Sequence, residues 1–242
     1  MQVINKKDYV RRKIVYETLM IILGAILLAS GFLGLAMGFI VNWMFFLLGI
    51  IMFLLGGIIL INRLGEVAIW RAGLRGQMLV PKVLHSLSDD YVLINNVSLN
   101  GRNCDIDHVI VSSKCLFAIE SKNYNGEIFG QGDEWGYIKR GRAGGFYRGH
   151  IGNPARQIKR SVWELKQTMD DELTRFGLDP TGLWIEPIVA FTNPNTVLKI
   201  TDSPVTAIML SELQSFVERF EPKTPIGKEM ATAIISILKD EK

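Results

Sequence analysis

Cysteine is scarce in this 242-residue sequence, and charged residues are absent from one long stretch of it. Only two cysteines are present, Cys104 and Cys115, which excludes a disulfide scaffold and a four-cysteine zinc site. No Asp, Glu, Lys or Arg occurs from Thr18 to Asn62. Internal repeats and low-complexity tracts are missing too, and a hydrophobic content of 48% excludes a disordered chain.

A surplus of positive charge is missing after Asn62. The chain has 27 basic and 24 acidic residues, of which five basic and two acidic ones precede the uncharged run, so 22 of each sign follow it. The net charge of +3 therefore belongs to the segment before the apolar run. Overall basicity gives no argument for a nucleic-acid partner.

The uncharged run is long enough for two transmembrane helices. A bilayer core needs about 20 apolar residues of helix, and Met20–Val41 and Trp43–Ile61 both meet that length, with Asn42 at the break. Gly34 and Gly38 have the GxxxG spacing that permits close packing between membrane helices. These glycines also allow homo-oligomerisation through the helices, and the simple abundance of glycine in membrane segments is the alternative explanation.

Basic residues flank both ends of the apolar run, and the turn has none. They are Arg11, Arg12 and Lys13 before it and Arg63, Arg71 and Arg75 after it. The positive-inside rule then predicts an integral membrane protein with both termini and the soluble domain in the cytoplasm. A cleaved signal peptide is the rival, but the second apolar run argues against it. The expected division is a stub (1–18), two membrane helices (19–62) and a soluble domain (63–242).

The soluble part mixes strand and helix patterns. Strands are predicted at Tyr91–Leu99, Ile106–Val111, Leu116–Ser121, Gly126–Gly130, Trp135–Ile138, Pro187–Phe191 and Val205–Met209. Helices are predicted over 75–87, with a kink or restart at Pro81, and from Asn153-Pro154, from a Ser211/Gln214 capping box and from Thr224-Pro225. This order predicts one α/β domain with helices on both sides of a mixed sheet.

Two carboxylates and a lysine meet at the end of one predicted hairpin. A tight turn at Ser113-Lys114 sets Asp107 opposite Glu120 and Asp105 opposite Lys122, with cross-strand Cβ atoms roughly 5 Å apart. Because side chains alternate along a strand, Glu120 and Lys122 share a face.

This constellation suits a divalent cation. Asp107 and Glu120 supply the hard oxygen ligands that Mg²⁺ prefers, and Lys122 is placed to position or deprotonate the attacking water or to hold a phosphate. The alternative is that these charges are structural, with Lys122 forming an ion pair with either Glu120 or Asp105.

The surrounding motifs resemble the nuclease-related domain (NERD) family in order and spacing. They are GRNCDIDHVIV, LFAIESKNYNGEIFG, a following Trp135, and NPARQ, and the resemblance covers roughly residues 75–191. That family is placed among the PD-(D/E)XK restriction-endonuclease-like folds. The resemblance therefore implies an α/β/α sandwich with a mixed central sheet and a Mg²⁺-dependent nuclease, with Mn²⁺ as an alternative ion. The implied catalytic residues are Asp107, Glu120, Lys122, Gln157 and Gln77.

Gln77 departs from the family pattern. The family usually has Gly-Glu in the first helix, whereas this chain has Gly76-Gln77, which weakens metal binding because an amide supplies no charge. Glu66, in Gly65-Glu66, is an alternative alignment that lies close to the membrane segment. Two functions stay open: a membrane-anchored nuclease acting on DNA at the cytoplasmic face, or a weak or inactive nuclease-fold module that binds nucleic acid or a protein there.

The stretch 135–163 has seven basic residues and no acidic one. Its glycines predict a flexible loop before the helix that starts at Asn153. Basic groups beside a helix N-terminus suit phosphate, so the expected nucleic-acid contacts are Arg140, Arg142, Arg148, Arg156, Lys159 and Asn153. A solvated loop, or one that touches anionic lipid, is the alternative.

Overall fold

The computed structural model describes residues 1–6, 9–99, 104–140 and 145–240. The strands are β1 (Gln2–Asn5), β2 (Val92–Ser98), β3 (Asp105–Val111), β4 (Leu116–Lys122), β5 (Gly126–Gln131), β6 (Glu134–Arg140), β7 (Phe146–His150), β8 (Ile185–Phe191), β9 (Thr196–Thr201) and β10 (Thr206–Met209). The helices are α1 (Tyr9–Ile40), α2 (Trp43–Gln77), α3 (Val80–Leu84), α4 (Pro154–Arg175), α5 (Leu210–Arg219) and α6 (Gly227–Asp240).

The chain divides into two compact units. One unit is Asp8–Leu74, and the other joins Met1–Lys7 to Arg75–Lys242. Met1–Lys7 belongs to the same unit as Arg75–Lys242, called the soluble unit below, because β1 pairs in parallel with β2, from Gln2↔Val92 to Asn5↔Asn95.

The unit Asp8–Leu74 is a helical hairpin made of α1 and most of α2, with the exposed Asn42 between them. Both helices are long and apolar enough to cross a membrane, judged by length and composition. At 1.5 Å per residue, α1 and α2 are about 48 and 52 Å long, more than a hydrocarbon core of about 30 Å requires.

Glycines lie where the two helices approach most closely. A Cβ added at Gly34 would lie 2.9 Å from the Cα of Gly49, and one at Gly38 would lie 2.5 Å from the Cβ of Phe46. The close backbone contact expected of these glycines is thus made within one chain. Homo-oligomerisation through the helices stays a prediction.

A buried carboxylate joins α1 and α2 at the open end of this hairpin. Glu17 is only 1% exposed and forms ion pairs of 3.2 Å with both Lys13 and Arg63. A carboxylate this deeply buried is costly unless it is paired, and here one cation comes from each helix.

The soluble unit is built on a six-stranded mixed sheet in the order β1-β2-β3-β4-β8-β10. Pairing is antiparallel across β2, β3 and β4 and parallel elsewhere. Apolar residues of α4 and α6 form one core with one face of the sheet, and those of α3 and α5 form a second core with the other face. The predicted α/β/α sandwich is confirmed.

A second sheet has the order β7-β6-β5-β9. Here the prediction of a flexible loop is wrong in part, because Phe146–His150 forms β7 and pairs antiparallel with β6. Strand β9, which the sequence patterns also missed, pairs in parallel with β5. Residues 141–144, which include Arg142, lie outside the described residues.

Two helix starts also differ from prediction. The prediction of a Ser211/Gln214 capping box is wrong. Helix α5 begins at Leu210, and the side chain that accepts the N-cap N–H, that of Met209, belongs to Glu212, at 3.1 Å. The last helix begins at Gly227 rather than at Thr224. The expected restart at Pro81 is present, since α2 ends at Gln77 and α3 begins at Val80.

Candidate active site

The predicted register of the β3–β4 hairpin is confirmed. Pairs run from His108↔Ile119 to Val111↔Leu116 around the turn at Ser113-Lys114, and the same register places Asp107 opposite Glu120. The described ladder stops one pair short of these two carboxylates. The two acidic residues therefore lie where β3 and β4 separate.

Asp107 is fixed at this point by its own hydrogen bonds. Its Oδ2 accepts from the Ser121 backbone N at 2.8 Å and from the Ser121 Oγ at 2.7 Å. On the β2 side of β3, the ladder pairs Asn95 with His108 and Val97 with Ile106, and Asn96 between them is not paired. Asn96 has a left-handed backbone with φ of 57°. Among the described residues Asp107 has no partner in either strand ladder, and its carboxylate is instead held in one orientation by the hydrogen bonds from Ser121.

Lys122 connects Glu120 to the start of α4. Its Nζ donates to Glu120 Oε1 at 2.6 Å and to Gln157 Oε1 at 3.0 Å. Glu120 is 4% exposed. Asn153 caps α4 by accepting from the Arg156 N–H at 3.0 Å. The fold therefore brings together Glu120, Lys122 and Gln157, from motifs about 35 residues apart.

Gln77 completes the group from the end of α2. Its Nε2 donates to Asp107 Oδ1 at 2.5 Å, and its buried Oε1 has no hydrogen-bond partner among the described residues. The adjoining Gly76 leaves no room for a side chain, since an added Cβ would lie 2.7 Å from Thr192 Oγ1. Gln77 is thus in direct contact with Asp107, and Glu66 belongs to the other unit.

Burial controls the electrostatics of the site. Burial, together with the nearby negative charge of Asp107, raises the pKa of Glu120 to about 7, although the Lys122 ammonium opposes the shift. Burial lowers the pKa of Lys122, but the attraction of the Glu120 carboxylate outweighs it and holds that pKa above its usual value. At neutral pH Lys122 is therefore an ammonium, and Glu120 takes up or loses a proton easily.

The donor set fits a divalent cation. Asp107 and Glu120 provide carboxylate oxygens, and the unpartnered Gln77 Oε1 provides a neutral one, all of the hard type that suits Mg²⁺. In the described part of the chain no cluster of three or more Asp, Glu, His or Cys side chains could hold a metal. A cation here would therefore depend on two carboxylates rather than three.

His108, next to Asp107 on β3, is not part of this donor set. It is buried, its Nδ1 lies 2.6 Å from Asn95 Oδ1, and the Asn95 Nδ2 donates to Asn5 Oδ1 at 2.7 Å. Burial lowers the pKa of His108 to about 4. A neutral imidazole in a buried polar chain that reaches β1 has a packing role.

Two of the expected nucleic-acid contacts are already paired with carboxylates. Arg156 contacts Asp133 at 3.3 Å and Glu134 at 3.0 Å, and Lys159 lies 3.6 Å from Asp133. The acidic residues lie at the β5–β6 turn, just before the stretch that lacks acids, so the charge count over 135–163 missed them.

Of the other expected contacts, Arg148 lies on β7 and Asn153 caps α4. The Arg148 guanidinium lies 5.9 Å from the centre of the Phe129 ring. Arg140 ends β6, but its side chain, like all of Arg142, lies outside the described part of the structure.

An open cleft of about 480 Å³ lies along the start of α4, beside the Lys122–Gln157 contact. Its lining is Cys104, Asp105, Gly152, Asn153, Arg156, Gln157, Arg160 and Ser161. The cleft offers a polar space next to the carboxylates in which a phosphate group could be held.

Comparison with known proteins identifies the same motifs. A family model described as the nuclease-related domain matches residues 72–192, half of the chain. No curated protein and no solved structure matches the chain. The resemblance indicated by the sequence motifs is therefore confirmed.

Proposed function

The chain belongs to the nuclease-related domain family, and from this we propose that it is a membrane-anchored, Mg²⁺-dependent nuclease. It hydrolyses phosphodiester bonds of nucleic acid, with DNA as the expected substrate, at the cytoplasmic face. The observation that carries the proposal is the meeting of Asp107, Glu120 and Lys122 where β3 and β4 separate, with Gln77 and Gln157 in hydrogen-bond contact with them.

A structural ion pair accounts for only part of this arrangement. The Lys122–Glu120 contact would satisfy both of those charges. It gives no reason to hold Asp107 nearby, where its negative charge raises the pKa of Glu120, or to bury Gln77 Oε1 without a donor. A cation between these oxygens accounts for both features, because it attracts the two carboxylates and the amide oxygen.

The side chains then have distinct roles. Asp107, Glu120 and the Gln77 amide oxygen would hold the cation, which when bound supplies Lewis-acid stabilisation of the charge that develops on the phosphate. In the metal-free site the Glu120 carboxylate holds the pKa of Lys122 above its usual value, so Lys122 is an ammonium there that would donate hydrogen bonds to the phosphate or to the attacking water. Gln157 orients the Lys122 ammonium.

Two observations bear on the membrane anchor, one on its presence and one on the side from which it enters the bilayer. The helices α1 and α2 have suitable length and composition, with basic residues on both flanks. In addition, β1 precedes the hairpin and β2 follows it, yet both belong to one sheet. Strands of one sheet must lie in one compartment, so the chain enters and leaves the bilayer from the same side, which the basic flanks indicate is the cytoplasm.

Cleavage by the full-length chain tests the proposal. In detergent micelles, with plasmid and linear DNA, we expect cleavage with Mg²⁺ or Mn²⁺ and none with EDTA. Asp107→Asn, Glu120→Gln and Lys122→Met should each reduce the rate by at least about 100-fold, with the fold retained by circular dichroism. Glu172→Gln is the control, because Glu172 forms an ordinary ion pair with Arg175 on α4.

A non-catalytic nuclease-fold module is the second candidate. It is favoured by the contact between Gln77 Nε2 and Asp107 Oδ1, which supplies Asp107 with a partner in the absence of a cation. This candidate would replace the first if neither the wild type nor Gln77→Glu cleaved DNA or RNA with either ion, and if calorimetry detected no Mg²⁺ binding.

A further inference from the structure

A row of three tyrosines extends from the candidate active site onto the second sheet. The rings of Tyr124 and Tyr137 are stacked, with centroids 6.0 Å apart and an interplanar angle of 19°. The rings of Tyr137 and Tyr147 meet edge to face at 6.3 Å and 76°. Gly149 makes this row possible, because a Cβ at that position would overlap the Tyr137 ring.

The two ends of the row differ in exposure. At the inner end, Tyr124 follows Lys122 by two residues, and its hydroxyl donates to the Ile151 carbonyl at 3.1 Å. At the outer end, Tyr147 is 46% exposed, and the adjacent Phe146 is 75% exposed. An aromatic surface therefore leads from solvent towards the lysine of the site.

The positive charge near this row is not neutralised. Lys139 is the cross-strand partner of Tyr147 and forms no ion pair with a carboxylate in the part of the chain that the structure describes. On α4, by contrast, Arg156 and Lys159 are paired with Asp133 and Glu134. Lys139 therefore offers positive charge to phosphates beside the tyrosines, whereas Arg156 and Lys159 are already engaged with carboxylates.

This combination matches one kind of nucleic acid. Aromatic side chains beside cations bind single strands, because unpaired bases expose faces that can stack while a duplex keeps its base faces covered. We propose that Tyr147, with Lys139 beside it, binds the bases of single-stranded DNA, so that the hairpin β6–β7 directs an unpaired strand to the carboxylates. This inference rests on the nuclease function proposed above and specifies its substrate.

Binding of labelled oligonucleotides to the full-length chain tests the inference. The protein is placed in nanodiscs of zwitterionic lipid with EDTA, and fluorescence anisotropy follows a fluorescein-labelled 20-nucleotide dT strand and a 20-bp duplex. We expect the single strand to bind more tightly. Tyr147→Ala should weaken single-strand binding about 5- to 150-fold without affecting the duplex, and Tyr147→Phe should retain it.

Two further variants separate stacking from charge and from general surface effects. Lys139→Gln should weaken single-strand binding and flatten its log–log salt dependence by about 0.7. Phe176→Ala removes a similarly exposed ring at the end of α4 and should have no effect. The inference is overturned if the duplex binds as tightly as the single strand, or if Tyr147→Ala behaves like Phe176→Ala.

The outcomes also separate this inference from the proposed function. Tyr147-dependent binding of the single strand without cleavage in Mg²⁺ would support the base-binding surface and contradict the nuclease. Cleavage of both DNA forms with no effect of Tyr147→Ala would support the nuclease and overturn the base-binding surface. Absence of all nucleic-acid binding would overturn both.

Discussion

Glu120 is the residue whose protonation links the site to pH. Burial raises its pKa from 4.5 to about 7, so the folded state binds this proton more tightly than the unfolded state does. A raised carboxyl pKa contributes stability below about pH 4.5, and that contribution is lost as the pH rises through about 7. Ionised Glu120 next to Asp107 therefore weakens the metal-free fold, and the proposed cation would relieve this repulsion.

The first prediction concerns stability against pH. In EDTA, the free energy of unfolding of the wild type should fall by roughly 2–3 kcal/mol between pH 5 and pH 8. Glu120→Gln cannot ionise and should show a much smaller fall. Thermal unfolding across this pH range checks the difference, and parallel curves for the two proteins would mean that Glu120 ionises normally.

The second prediction concerns Gln77. In Gln77→Glu the hydrogen bond to Asp107 is lost and a third carboxylate is added, so the metal-free protein should melt at a lower temperature. The same charge should tighten Mg²⁺ binding, because Mg²⁺ favours carboxylate oxygens. Calorimetry gives the affinity and thermal unfolding with and without Mg²⁺ gives the stability. Weaker Mg²⁺ binding in this variant would count against the cation site.

Residues close in sequence were predicted best. The position of Asp107 opposite Glu120 follows from one tight turn and from strand alternation, so the sequence alone was sufficient. The contact of Gln77 with Asp107 spans 30 residues, and that of Arg156 with Asp133 spans 23. Such contacts depend on how separate elements pack, and no local pattern specifies that packing.

At the level of elements, the strands rich in Val and Ile were recognised and the others were not. Strand β7 contains Gly149 and follows a run of glycines, so its composition is typical of a loop, and only pairing with β6 makes it a strand. Strand β1 has four residues and is stabilised by a partner about 90 residues away. Local propensity is overridden in both cases by tertiary pairing.

The third prediction concerns the packing of α1 against α2. A Cβ at Gly49 would lie 2.5 Å from the Leu35 N, whereas at Gly57 it would meet nothing within 4 Å. Gly49→Ala should therefore destabilise the hairpin by about 1–3 kcal/mol. Gly57→Ala is the matched control and should stabilise it by roughly 0.5–1 kcal/mol through helix propensity. Titration with SDS in mixed micelles, followed by circular dichroism, measures both; equal midpoints would contradict the close contact.

For the whole molecule, the main question is the side of the membrane on which each part lies. The apolar helices and their basic flanks were evident from the sequence. The participation of β1 in the soluble sheet was not, because a four-residue strand has too little pattern to detect. That strand gives a second reason, independent of charge, to place both flanks of the hairpin in one compartment.

The fourth prediction concerns this topology. With Cys104 and Cys115 replaced by alanine, a cysteine introduced at the exposed Asn42 should react with an impermeant thiol reagent added to intact cells. A cysteine at Thr224, also exposed in the structure, should react only after lysis. Reaction at position 224 in intact cells, with protection at position 42, would reverse the orientation.

The position of β1 ahead of the hairpin also imposes an order on the folding of the nascent chain. Strand β1 leaves the ribosome first, but β2 begins 87 residues after Asn5. At a synthesis rate of about 5–20 residues per second, that interval lasts roughly 4–17 s. During it the backbone N–H and C=O groups of β1 have no strand to pair with, while α1 and α2 are being made. The hairpin is therefore synthesised before the six-stranded sheet can be completed, and a ribosome that stalled within α2 would leave β1 without its partner strand.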